Sequence, residues 1–103
     1  MNVLMIRAKL KAESVPDSEA ATEKMFAAIK AARPAGVKYA STRLPDGVSA
    51  VALLALDDEA GNPLDNPLQA IPEFREFGEQ LPEWLAEPPI VESLTVIGSY
   101  ELF

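Results

Sequence analysis

Val37-Lys38-Tyr39-Ala40-Ser41-Thr42-Arg43-Leu44-Pro45-Asp46-Gly47-Val48-Ser49-Ala50-Val51-Ala52-Leu53-Leu54-Ala55-Leu56 decides the fold. At its centre, Pro45-Asp46-Gly47 suits a type I turn followed by a glycine in the left-handed region. The flanking stretches, 37–44 and 48–57, are then the two arms of a β-hairpin. The second arm is apolar on both faces, and such a strand is expected at the centre of a sheet, covered on both sides.

Working outward, residues 2 to 11 alternate. Leu4, Ile6, Ala8 and Leu10 fall on one face, and Val3, Met5, Arg7, Lys9 and Lys11 on the other, which predicts a strand with one wholly apolar face. Pro16-Asp17-Ser18-Glu19 then opens a helix, with Asp17 or Ser18 as its cap. Ala21, Met25, Ala28, Ile29 and Ala32 recur on its apolar stripe, and Arg33-Pro34-Ala35-Gly36 stops it. On the other side of the hairpin lies an acidic, turn-rich loop from Asp57 to Asp65. Its carboxylates lack the ligand spacing of a calcium loop, so a solvated loop is expected. Asn66-Pro67-Leu68-Gln69 reads as a helix start. Pro72 and Pro82 should divide the helical segment into a short turn, a main helix from about 72 to 81 and a last turn through Trp84. Ile90 to Phe103 reads as a final strand, with Gly98 as a bulge or kink.

The element order is β-α-β-β-α-β over residues 1–103, a single α+β domain of ferredoxin-like type: four antiparallel strands with both helices on one face. The second sheet face then carries part of Val3, Met5, Val51 and Leu53 together with residues of the last strand. An apolar patch of that kind marks an interface. A homodimer pairing two sheets through this open face is the expectation.

Composition removes whole classes of function. The net charge is −7, from 16 acidic and 9 basic side chains, and the tightest basic spacing is only Arg7, Lys9 and Lys11. Nucleic-acid binding, which depends on neutralising phosphates, is not expected. No stretch approaches the ~20 apolar residues of a membrane helix, and the N-terminal apolar run is too short for a signal peptide. No membrane association is expected, and the cytoplasm is the expected compartment. Cysteine and histidine are both absent, which removes thiolate chemistry, the commonest metal ligands, the usual haem ligand and the usual neutral-pH base.

Asn66-Pro67-Leu68-Gln69-Ala70-Ile71-Pro72-Glu73-Phe74, Leu81-Pro82-Glu83-Trp84-Leu85 and Leu94-Thr95-Val96-Ile97-Gly98-Ser99-Tyr100, in this element order, resemble the dimeric α/β-barrel superfamily. Within it the chain is most similar to antibiotic biosynthesis monooxygenase-like domains. The resemblance implies a ferredoxin-like protomer, a face-to-face dimer and a cavity in each half. Some members oxidise aromatic polyketides with oxygen and no cofactor, whereas the haem-degrading branch needs an axial histidine that this chain lacks. The implied function is a cofactor-independent monooxygenase acting on a hydrophobic or aromatic metabolite, with no cofactor or metal expected. The alternative is a non-catalytic dimer that binds a small molecule or serves as an accessory. A structural dimer whose helices dock another protein is a third reading.

Five side chains are candidates for a cavity. Arg7 lies where its strand face turns polar and could bind an anionic or enolate oxygen; the plainer reading is a rim arginine with a solvated or ion-paired head. Tyr39 and Arg43 share a face of the first hairpin arm, and either line the cavity or decorate an edge strand. Trp84 is a core or lid residue or a stacking platform for a ligand. Tyr100 could bond across a dimer or into a cavity. Glu73, Glu76, Glu79 and Glu83 form a wet helix face, and Glu92 or Glu101 could act as a base in place of histidine only if buried.

Overall fold

The computed structural model of the protein describes residues 2–57 and 66–102. Four strands, β1 (Asn2–Lys9), β2 (Val37–Arg43), β3 (Ser49–Leu56) and β4 (Ile90–Leu94), form one sheet in the order β2-β3-β1-β4. Every neighbouring pair is antiparallel. Helices α1 (Val15–Ala32) and α2 (Pro72–Trp84) pack against each other over one face, giving the ferredoxin-like α+β arrangement. Residues 58–65 of the acidic stretch, the segment weighed against a calcium loop, lie outside the described residues.

The hairpin turns where expected. Gly47 has φ +79° and donates its N–H to Leu44 O at 3.0 Å. Asp46 accepts from the backbone N–H groups of Val48 and Ser49 and from the Ser49 hydroxyl. These bonds favour the ionised carboxylate and hold its pKa below the usual value.

Three boundaries differ from the sequence reading. Helix α1 begins at Val15, preceded by a 3-10 turn over Ala12–Ser14, so Asp17 and Ser18 lie inside its first turns rather than at the cap. Ser18 is buried, and its hydroxyl donates to Val15 O at 3.0 Å. At the other end Arg33 adopts the left-handed conformation (φ 48°) and donates to Ile29 O, and Pro34 prevents continuation.

Pro67–Ala70 forms a 3-10 turn capped by the Asn66 side chain, which accepts from Leu68 N at 2.8 Å. Pro72 opens α2, whereas Pro82 lies inside it without ending it. A proline removes the bond to the residue four before it and presses its ring on that carbonyl. Here that residue is Gly78, whose bare Cα has open space around it. The last strand stops at Leu94, so Val96, Gly98, Tyr100 and Leu102 lie beyond it rather than in a strand. Ile97 is 99% exposed and Tyr100 86%.

Register explains the layers. On β1 and β3 the pairs Leu4–Leu54, Ile6–Ala52 and Ala8–Ala50 face the helices, and β2 adds Val37 opposite Leu56, Tyr39 opposite Leu54 and Ser41 opposite Ala52. Leu54, Leu56, Leu68 and Ile71 make the core cluster, with Ala28, Ile29, Val37, Tyr39 and Phe74 against it. The far face carries Met5, Leu53 and Val51, all half-buried, beside the exposed Ile90 and Leu94. Strand β3 is central, but only its end, Leu54 to Leu56, is buried on both faces; Ser49 to Leu53 are half-buried. The two-sided cover expected from its sequence is therefore incomplete, because both helices lie on the same side.

Leu56 is fully buried at the centre of the core cluster. Leu56→Ala should cost about 2–5 kcal/mol of unfolding free energy, the range for deleting a buried leucine side chain. Urea denaturation measures it, and a loss under about 1 kcal/mol would place the core elsewhere.

Candidate functional site

The helix-facing side of β3 reads Ala50, Ala52, Leu54, Leu56. The leucine half fills the space under the helices. Along the alanine half the partner Ala8 is also small, and a cavity of about 470 Å³ opens between sheet and helices. Its floor is Ile6, Ala8, Ala50, Ala52 and Ser41, with Leu10 at one end; its roof is Phe74, Phe77, Gly78 and Leu81 of α2 and Ser18 and Thr22 of α1. Leucine at either alanine position would gain on the order of 1.5–3 kcal/mol of apolar burial. The cavity thus costs stability, as does space retained where function uses it.

Tyr39 separates cavity from core. Its ring stacks on Phe26 (centroids 5.1 Å apart, planes 19° apart) and meets the edge of Phe74 at 6.1 Å. Among the described residues its hydroxyl makes no hydrogen bond. No sealed side-chain polar atom is left without a partner among those residues, so this hydroxyl has access to the cavity that Tyr39 lines. Burial away from water disfavours the phenolate and raises the Tyr39 pKa. At neutral pH the group is a hydrogen-bond donor waiting for an acceptor.

Among the exposed lining residues, Glu19, Glu23, Thr42 and Arg43 mark the mouth. Arg43, on edge strand β2, pairs with Glu19 of α1 across the opening. A half-exposed pair of this kind adds little to stability, but it fixes the guanidinium and neutralises it. Glu23, one helical turn further on, has no ion-pair partner among the described residues. Thr22 and Thr42 spend their hydroxyls on the backbone of Ser18 and Val51.

Of the five candidates, the fold brings Tyr39 and Arg43 together at the cavity. Arg7 is on the far face of the sheet, paired with Glu92, with half of its side chain in solvent. The period of two that puts Ile6 and Ala8 in the cavity necessarily turns Arg7 away. Trp84 is buried beyond the cavity, its ring at 5.7 Å and 60° from Phe77, at the point where Lys11 N donates to its carbonyl. Tyr100, past the end of β4, is in solvent, as is Glu101. Glu92 is exposed on the far face, so neither carboxylate is a buried base. Sequence reasoning misses the alanine positions and the Glu19–Glu23 edge of α1; the available signal is the change from alanine to leucine along one face of β3. Among the described residues no cluster of metal-binding side chains is present, and no helix is long and apolar enough to cross a membrane.

No protein-family model matches the chain, and no curated protein matches it. Solved structures do. A Nitrosomonas europaea protein provisionally assigned as an antibiotic biosynthesis monooxygenase superposes with a TM-score of 0.75 at 16% identity, over 95% of this chain and 100% of that one. The chain has the fold of the antibiotic biosynthesis monooxygenases. SnoaB, a cofactor-independent oxygenase from Streptomyces nogalater, gives a TM-score of 0.68 at 17% identity, covering 97% of this chain and 96% of its own. Rv0793 from Mycobacterium tuberculosis gives 0.65 at 21% identity, with 95% and 96% covered. At these identities the shared property is the fold.

Desolvation of Tyr39 has a checkable sign. Below about pH 10, the ordinary tyrosine value, the phenol is neutral whether the chain is folded or not. Above that, the unfolded chain ionises first, and stability falls as pH rises through the higher folded value. The tyrosinate absorbance that distinguishes the native protein from Tyr39→Phe should therefore appear above pH 10. A Tyr39 transition at about pH 10 would mean that the hydroxyl is in water.

Proposed function

We propose that the protein is a cytoplasmic homodimer acting as a cofactor-independent monooxygenase on a hydrophobic, aromatic small molecule. The observation that carries this reading is the apolar cavity lined by Tyr39, whose hydroxyl makes no hydrogen bond among the described residues. A flat ligand fits between the alanine floor and the phenylalanine roof, and its carbonyl oxygen can accept from Tyr39. The fold shared with SnoaB is consistent with that use.

The chemistry rests on the ligand. A ring CH2 beside a carbonyl loses a proton to water at the mouth, and the hydrogen bond from Tyr39 steadies the charge on the enolate oxygen. The enolate passes one electron to O2, the two radicals join at carbon, and protonation gives a hydroperoxide. Loss of water leaves a second carbonyl. One oxygen atom ends in the product and the other in water, with both electrons supplied by the substrate. Arg7, on the far face, takes no part.

A second reading uses the same cavity without turnover, and one observation favours it: among the described residues no buried carboxylate lines the cavity to take the proton. The dimer rests on the far sheet face, where Met5, Val51 and Leu53 join Ile90 (51% exposed) and Leu94 (37%). Burying such a patch against a second copy removes apolar surface from water.

Oxygen uptake over a panel of anthrone- and dihydroxyanthracene-type substrates tests the chemistry. Uptake above the uncatalysed rate, reduced at least about tenfold in Ala52→Leu, is expected. No uptake across the panel, with binding intact, would leave the binder. Light scattering at micromolar concentration should give twice the monomer mass of 11.1 kDa, and a monomer would remove the dimer.

A further inference from the structure

The charges at the cavity mouth set which ligands can enter. Among the described residues, three ionisable side chains line the opening: Arg43, Glu19 and Glu23. Glu19 already neutralises Arg43, and Glu23 is left over, so these three side chains give the mouth one net negative charge. Inside, the lining is mostly alanine, isoleucine, leucine and phenylalanine. Among the described residues two of its hydroxyls make no protein hydrogen bond, that of the exposed Ser41 and that of the half-buried Tyr39, and Tyr39 is the one packed between Phe26 and Phe74. An anion would leave water, pass a carboxylate and find no unpaired cation in this lining.

We propose that the cavity selects an uncharged, flat, apolar ligand that carries a hydrogen-bond acceptor, with Tyr39 as the donor to that acceptor and Glu19 and Glu23 as the side chains that turn anionic ligands away. This rests on the reading of the cavity as a ligand site and adds the charge state of what it takes. Glu19 removes the guanidinium that would otherwise attract an incoming carboxylate, and Glu23 repels it. The Arg43–Glu19 pair is thus a specificity device rather than a source of stability, in keeping with the small worth of exposed pairs. The substrate is delivered as a neutral ketone or phenol, and any negative charge develops only after binding.

Four related probes separate the roles: fluorene, fluorenone, fluorenone-carboxylate and its methyl ester. Calorimetric titration into the native protein should show fluorenone binding about three- to tenfold more tightly than fluorene, the worth of one neutral hydrogen bond of about 0.5–1.5 kcal/mol. Tyr39→Phe should erase that difference without weakening fluorene. The carboxylate should bind at least about tenfold more weakly than its ester, and added salt should narrow the gap as screening grows. In Glu19→Gln/Glu23→Gln the order should reverse, since Arg43 is released. Each variant's thermal unfolding reports whether it is folded, and Glu23→Gln alone, at an exposed position, should narrow the gap in an intact fold.

Equal binding of carboxylate and ester by the native protein would overturn the inference, as would an unchanged order in the double variant. Oxygen uptake is read separately. Charge selectivity without uptake contradicts only the oxygenase reading, and uptake with no charge selectivity contradicts only this one.

Discussion

The pairing of β1 with β3 is the constraint on which the rest depends. A register that sets Leu4 against Leu54 and Ala8 against Ala50 puts bulk at one end of the sheet and small side chains at the other. The helices span both ends as rigid rods. They rest on Leu54, Leu56, Leu68 and Ile71 and therefore stand clear of Ala8, Ala50 and Ala52. A shift of one residue would turn the alanines outward and place Arg7 beneath the helices. Core and cavity are two consequences of one ladder, and Tyr39 is the boundary between them.

That arrangement also divides the labour among the charges. The pairs Arg7–Glu92 and Arg43–Glu19 are both exposed, and neither holds the fold together by much. The first lies on the far sheet face, beside Met5, Val51 and Leu53, where each partner neutralises the other. The second spans the mouth of the cavity, where Glu19 leaves Arg43 neutralised and Glu23 in excess. Arginine thus stands at both surfaces already neutralised, and a chain of net charge −7 offers an anionic ligand no free guanidinium in the cavity lining.

Much of this is legible in the sequence. The turn at Pro45-Asp46-Gly47, the strand periods and the element order lead to the sheet and to the side on which the helices lie, because each rests on local sterics or on a period of two. The departures have physical causes as well. Pro82 reads as an interruption, but it stands four residues after Gly78, in a helix held down by packing. Ile90 to Phe103 reads as one strand from its alternation, but β1 pairs only as far as Leu94. Tyr39 and Arg43 are legible as cavity candidates because they share a strand face. Glu19, Glu23 and the alanines are not, because a small residue in a strand announces nothing until its partners are known.

The central claim is that the alanine half of the inner sheet face holds an open apolar site. Nile red, an uncharged dye that fluoresces in apolar surroundings, reports on it directly. Titration should show one dye per chain with the native protein and none with Ala52→Leu, whose melting temperature should equal or exceed the native value as the space fills. Undiminished dye binding by a folded Ala52→Leu would contradict the account.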